Sequence, residues 1–193
     1  MKITAIDNRN DLFFLENIID DDLIKEFNRE NINLYKWKLQ EWQESVPRHV
    51  LTAHSGSVLA RINTQLLNVP KQLNAVLGTS FRTITVNCWH DLEKFEFKTH
   101  IDNPAVQTVM QFYIGEASED LGTVFYNAQD QDVEDKEDKQ KWHLVNHNLP
   151  VRRNFKYITN TGYIMFNNRT QAHGVVGEVT HNDKRVSCYC YIN

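Results

Sequence analysis

The chain has 193 residues, few cysteines, no long apolar run and no surplus of one charge. Cys88, Cys188 and Cys190 are odd in number and lack framework spacing, so they do not indicate a disulfide scaffold. Cys188 and Cys190 stand two apart and would share one side of a strand, where small core hydrophobes are the plain reading. No stretch approaches the ~20 apolar residues needed to cross a bilayer. The opening segment, MKITAIDNRNDLFFLENIIDDD, is broken by charges and does not read as a signal peptide. Lysine and arginine number 21 against 25 aspartates and glutamates, a formal net charge of −4. That balance gives no bulk footprint for nucleic acid, although a local basic groove stays open. No internal repeat is visible. These absences lead us to expect a soluble, cytoplasmic protein with neither a membrane nor a nucleic-acid partner.

The composition that remains is ordinary for a globular chain, with 41% hydrophobic and 24% charged residues. The length suits one well-buried domain spanning 1–193. Its first part, 1–79, reads as a helix-rich support. Asp20, Asp21 and Asp22 precede Leu23, Ile24 and Phe27, an acidic helix start followed by an apolar stripe. Val58, Leu59, Ile62, Leu66 and Leu67 follow the helical period. A shorter helix fits Leu73, Val76 and Leu77 after Pro70, with Gly78 as its stop. The aromatic stretch Tyr35, Trp37 and Trp42 has no clear assignment.

After residue 80 the period changes to two. Ile84, Val86 and Cys88 alternate with Thr83, Thr85 and Asn87, which is a strand pattern. Further strands are expected over 108–114, 121–126, 155–158, 163–166, 173–179 and 185–192. Many short strands at close spacing predict a barrel or jelly roll. The fold class is therefore mainly β with N-terminal helices (α+β): a double-stranded β-helix, cupin-like, over 80–193. The charged segment 127–150 interrupts this rhythm and reads as an exposed loop. It is either a solvated insertion or a mobile lid, with Trp142, His143 and His147 as the lid's working surface.

His100-Ile101-Asp102 places an imidazole and a carboxylate on one face of a strand, because residues i and i+2 point the same way. His-x-Asp alone is a weak signal. Downstream, His173 opens another expected strand and Arg185-Val186-Ser187 begins twelve residues later. Two histidines and one carboxylate with open positions suit non-haem Fe(II) that must also bind a cosubstrate and O₂. Alternation puts Arg185, Ser187, Tyr189 and Tyr191 on one face of the last strand. Val186, Cys188, Cys190 and Ile192 fall on the other, which should pack on the helices. A cation inside a barrel is costly unless it meets an anion, and guanidinium matches carboxylate.

This combination resembles the Fe(II)/2-oxoglutarate-dependent dioxygenase superfamily, and its prolyl 4-hydroxylase-like branch in particular. His100-Ile101-Asp102-Asn103-Pro104, Gln111 to Ile114, Leu121 to Phe125 and Gly162 to Phe166 are similar to runs of those enzymes, in the same order. The resemblance covers about residues 80–193. It implies Fe(II) held by His100, Asp102 and His173, and 2-oxoglutarate anchored through its distal carboxylate by Arg185. Ser187 and Tyr113 would donate hydrogen bonds to that carboxylate. Trp89 and His90 are candidates for the pocket wall, as is Trp142, although a structural or exposed role is the favoured reading of His90. The implied reaction is hydroxylation of an unactivated C–H with release of succinate and CO₂. A carboxylate ligand at Asp102 disfavours halogenation. The favoured substrate is a prolyl residue of a peptide or protein, followed by a free amino acid or another small molecule. A non-enzymatic cupin-like metal-binding barrel is the competing class, and it gives no reason for Arg185 and Ser187 to share a face.

Overall fold

The structure is a computed structural model that describes all residues except 31, 33–34, 40–46 and 137–140. Trp42 therefore lies outside the described residues, as does part of the charged segment. Among the described residues, β1 (Lys2–Ala5) and β2 (Leu12–Glu16) precede helix α1 (Asp21–Arg29). Next come β3 (Lys36–Leu39), β4 (Arg48–Thr52), α2 (Val58–Leu66), α3 (Val69–Leu77) and β5 (Ile84–Asp91). Then β6 (Phe97–His100), β7 (Thr108–Tyr113), β8 (Thr123–Tyr126), β9 (Val133–Lys136) and β10 (Lys141–Leu144) follow. The chain continues through β11 (Val151–Phe155), β12 (Thr161–Phe166), β13 (His173–Val175) and β14 (Arg185–Ile192).

Antiparallel pairing builds an eight-stranded sheet ordered β1-β2-β12-β7-β14-β5-β4-β3 and a four-stranded sheet ordered β11-β8-β13-β6. The two together form the expected jelly roll. The helices form where the sequence places them. Ser57 caps α2 by accepting from the Ala60 N–H. Gly78 ends α3 at φ 67°, a left-handed position that glycine adopts without strain. Val186, Cys188, Cys190 and Ile192 line one face of β14 and pack with Phe27, Leu59, Ile62 and Leu73. The cysteines are thus buried, free, and part of the core beneath the helices.

Two expectations need correction. Residues 1–79 are not only a helical support, since β1–β2 and β3–β4 supply both edges of the large sheet. Arg48–Thr52 carries no clear alternation in sequence, and it forms a strand through pairing with both β3 and β5. The segment 127–150 is not simply a loop either: β9 and β10 pair as an antiparallel ribbon. Its apolar residues Ala128, Val133, Leu144 and Leu149 bury against Ile101 and Ala172. Arg169 ties the ribbon down, its Nη2 donating to the Val133 carbonyl at 2.7 Å and its Nη1 to Asp135. Surrounding charges hide these few buried positions from a compositional reading. The strands expected at 155–158 and 173–179 are also shifted or shortened, to Val151–Phe155 and His173–Val175.

Register fixes the inner face of the large sheet as a series of rungs. Arg48, Asp91 and Arg185 are partners on one rung. The next carries Val50, Trp89, Ser187 and Tyr113. The third carries Asn87, Tyr189, Gln111 and Tyr163.

Candidate metal centre and its cavity

His100 ends β6 and His173 begins β13, and the two are register partners. Asp102 follows two residues beyond His100. The three side chains bring one ligand atom each to within 4.8 Å of one another. His100 Nε2 lies 3.5 Å and His173 Nε2 3.9 Å from Asp102 Oδ1. Each histidine engages a main-chain carbonyl through Nδ1, His100 with Lys98 at 2.9 Å and His173 with Gln171 at 3.0 Å. A proton on Nδ1 leaves the Nε2 lone pair free for a metal, the usual way a second contact sets the tautomer. Tyr189 donates its hydroxyl to Asp102 Oδ2 at 3.0 Å, which leaves Oδ1 turned to the histidines.

Electrostatics suit the same role. Burial, then the neighbouring His100, push the His173 pKa down to about 4, so its ring is neutral at ordinary pH. Burial alone would raise the Asp102 carboxyl, but His173, His100 and the Tyr189 hydroxyl outweigh it and lower the pKa to about 2. The donor set is therefore two imidazoles, that of His173 neutral, and one carboxylate, with no fourth protein ligand in the cluster among the described residues. That set and its open side fit a divalent iron with exchangeable positions.

A cavity of about 370 Å³ opens beside these ligands. Its aromatic wall is continuous: Trp89 stacks on Tyr189 at 4.5 Å, and Tyr189 meets Tyr191 edge-on at 5.2 Å. Polar residues of its lining are locked together. Tyr163 donates to Gln111 Oε1 at 2.7 Å, and Gln111 Nε2 donates to Ser187 Oγ at 3.2 Å. Thr123 also lines the cavity and pairs through Oγ1 with the Tyr113 hydroxyl at 2.9 Å.

The first rung carries buried charge. Asp91 is ion-paired with both Arg48 and Arg185. Arg48 is 3% exposed, and Asp91 and Arg185 are fully buried. Arg185 Nε donates to the Leu121 carbonyl at 2.8 Å, whereas its Nη2 is buried without a partner. An unmet buried donor costs roughly 1–3 kcal/mol, more on a charged group, so this nitrogen calls for an acceptor.

The structure thus brings together His100, Asp102 and His173. Arg185, Ser187 and Tyr113 are fully buried and, among the described residues, are not on the cavity surface itself. Trp89 lines the cavity. His90 does not: it alternates to the opposite side of β5, where its ring lies 6.3 Å from that of His49. Trp142 packs in the ribbon cluster and is also absent from the lining. Reading the sequence missed Arg48 and Asp91. Asp91 continues the Asn87, Trp89 alternation and could have been found by it, while Arg48 carries no local signal.

No protein-family model matches this sequence, and no curated protein matches it. Its structure is similar to many solved ones, all those described here at low sequence identity. A prolyl-4-hydroxylase from Pseudomonas putida superposes with a TM-score of 0.62 at 9% identity, over 94% of this chain and 91% of that one. HygX from Streptomyces hygroscopicus, solved with nickel, 2-oxoglutarate and hygromycin B, gives 0.59 at 11% identity, over 93% and 82%. A prolyl hydroxylase in complex with a hypoxia-inducible-factor peptide, from Trichoplax adhaerens, gives 0.59 at 13%, over 96% and 84%. The chain therefore has the fold of the 2-oxoglutarate/Fe(II) oxygenases along nearly its whole length.

Proposed function

We propose that this protein is an Fe(II)- and 2-oxoglutarate-dependent oxygenase that hydroxylates an unactivated C–H and releases succinate and CO₂. The observation that carries this reading is the pairing of a His-His-Asp donor set with a buried arginine whose donor is unmet. His100, Asp102 and His173 would hold the iron. Arg185, with Tyr113 and Ser187 beside it, would hold the distal carboxylate. Bound iron and cosubstrate supply the activation of O₂ for oxidation of the C–H.

The chain's own residues do the rest. The Nδ1 contacts of His100 and His173 keep their Nε2 atoms presented, and Tyr189 keeps Asp102 from offering both oxygens. Trp89, Tyr189 and Tyr191 give the cavity an apolar wall that excludes water from the reacting C–H. The finer reading is a prolyl residue of a peptide or protein, as in two of the fold neighbours. The neutral aromatic wall suits the uncharged pyrrolidine ring. A small-molecule substrate is the second reading, favoured by the hygromycin B bound to HygX. A metal-binding barrel without catalysis accounts for the ligands but not for the buried arginine pair. The test is an anaerobic titration with Fe(II) and 2-oxoglutarate, followed by O₂. A visible chelate band and then succinate are expected. Bound metal with neither band nor succinate overturns the proposal.

A further inference from the structure

Arg48 is the one arginine or lysine among the described residues lining the cavity, and Arg185 is sealed behind the surface. The two share Asp91 on one rung. Two guanidiniums and one carboxylate leave a surplus of one positive charge in a largely buried place, and such a charge calls for an anion. Burial lowers the Arg48 pKa despite the opposing pull of Asp91, so Asp91 alone does not fully offset burial of that cation.

We propose that Arg48 is a second recognition residue for the cosubstrate, forming with Arg185 a two-guanidinium clamp on one carboxylate. The inference rests on the oxygenase reading above and adds a residue to it. Arg48 stands on β4 and Arg185 on β14, two strands apart, a backbone separation of ~10 Å. Asp91, on the strand between them, bridges one side of that gap. The distal carboxylate of a 2-oxo dicarboxylate bridges the other, giving an alternating ring of two cations and two anions. Arg48 is preorganised for this. Its guanidinium lies 4.0 Å over the Trp89 ring and 4.5 Å over Phe95, contacts that hold it in place.

Charge balance then says what else the cavity takes. A divalent metal with the Asp102 carboxylate also carries a surplus of one, which the other carboxylate of the cosubstrate neutralises. A dicarboxylate leaves both ends neutral, and no fixed charge remains in the described lining. The part of the primary substrate that enters is therefore uncharged.

The experiment compares 2-oxoglutarate with 2-oxopentanoate, which has the same chain length and a methyl group in place of the distal carboxylate. Binding is measured anaerobically by calorimetry on the Fe(II)-loaded wild type, Arg48→Gln and Arg48→Lys. Wild type should favour 2-oxoglutarate strongly. Arg48→Gln should lose about tenfold or more in 2-oxoglutarate affinity, while metal and 2-oxopentanoate affinities hold. Arg48→Lys should recover part of the preference, since it restores the charge without the planar fork. It also carries the comparison if the glutamine variant does not fold. An unchanged preference in both variants overturns the clamp. An equal loss for both keto acids makes Arg48 a packing residue and also overturns it. A wild type that binds Fe(II) but neither keto acid overturns the oxygenase reading itself.

Discussion

The cavity has two ends that are built differently. At the metal end, two ligands sit two residues apart and the third faces them across one register pair, His173 with His100. At the cationic end, three charges from three strands meet on one rung, with Arg48 and Asp91 43 residues apart in sequence. The metal end is local chemistry placed by strand alternation. The cationic end is a product of sheet order. The first is partly exposed, while the second is almost wholly buried, with only Arg48 reaching the cavity lining.

Variants of single residues should separate the ends. His173→Ala should abolish iron binding near neutral pH, measured by calorimetry or metal analysis on the desalted protein. Stoichiometric iron in that variant would reassign the ligand. Arg185→Ala should leave metal affinity largely intact and weaken 2-oxoglutarate by about a hundredfold or more, because it removes one partner of a buried charged site. Unchanged cosubstrate affinity would refute the anchoring role.

Proton linkage should mark the metal end most strongly. The folded-state pKa of His173 lies below its unfolded value of 6.5, at about 4. The unfolded chain therefore takes up this proton first, and stability falls as pH drops from 6.5 towards 4. His173 by itself should cost about 3 kcal/mol across that window. Denaturant unfolding of metal-free protein should show the loss, and His173→Gln should reduce it, leaving the smaller part from His49 and His90. An unchanged slope in the variant would place the titration elsewhere. Asp102 acts in the same sense but lower down: the stability it gives above pH 3.8 is lost as pH falls towards 2.

The smallest effect tests the ribbon. Leu144 is buried with Ile101 and Ala172, the residues that alternate with the ligands. Leu144→Ala should cost about 2 kcal/mol in stability. It should weaken metal binding more than it changes the preference for a dicarboxylate. Deleting 129–141 should likewise harm metal retention along with turnover. Loss of turnover with metal and cosubstrate binding intact would restore the lid reading of that segment.

Much of this was legible in the sequence, for identifiable reasons. The period of two revealed β5, β7, β12 and β14, and it put Cys188 and Cys190 on the correct face. It also grouped Arg185, Ser187, Tyr189 and Tyr191. His100 and Asp102 were visible because their spacing is short. Arg48 was not, because its meaning comes only from β4 lying beside β5, and register between strands far apart in sequence leaves no trace in local pattern. The ribbon was hidden because its few buried residues are spaced among charges. His90 was misplaced as a wall candidate because adjacent residues of one strand cannot both face the cavity.

The position of β14 has a consequence in time. It lies between β5 and β7, pairing with both along most of its length, yet it follows each of them by many residues in the chain. Until it inserts, β5 and β7 are both open edges, and the large sheet is split in two. Closing it demands contacts of high sequence separation, which makes folding slow. Arg185 arrives with that last strand, as does Tyr189, which orients Asp102. A chain caught halfway can hold its histidines but neither the cation proposed to anchor the keto acid nor the hydroxyl that pairs with Asp102. The candidate centre is thus complete only when β14 is seated between β5 and β7.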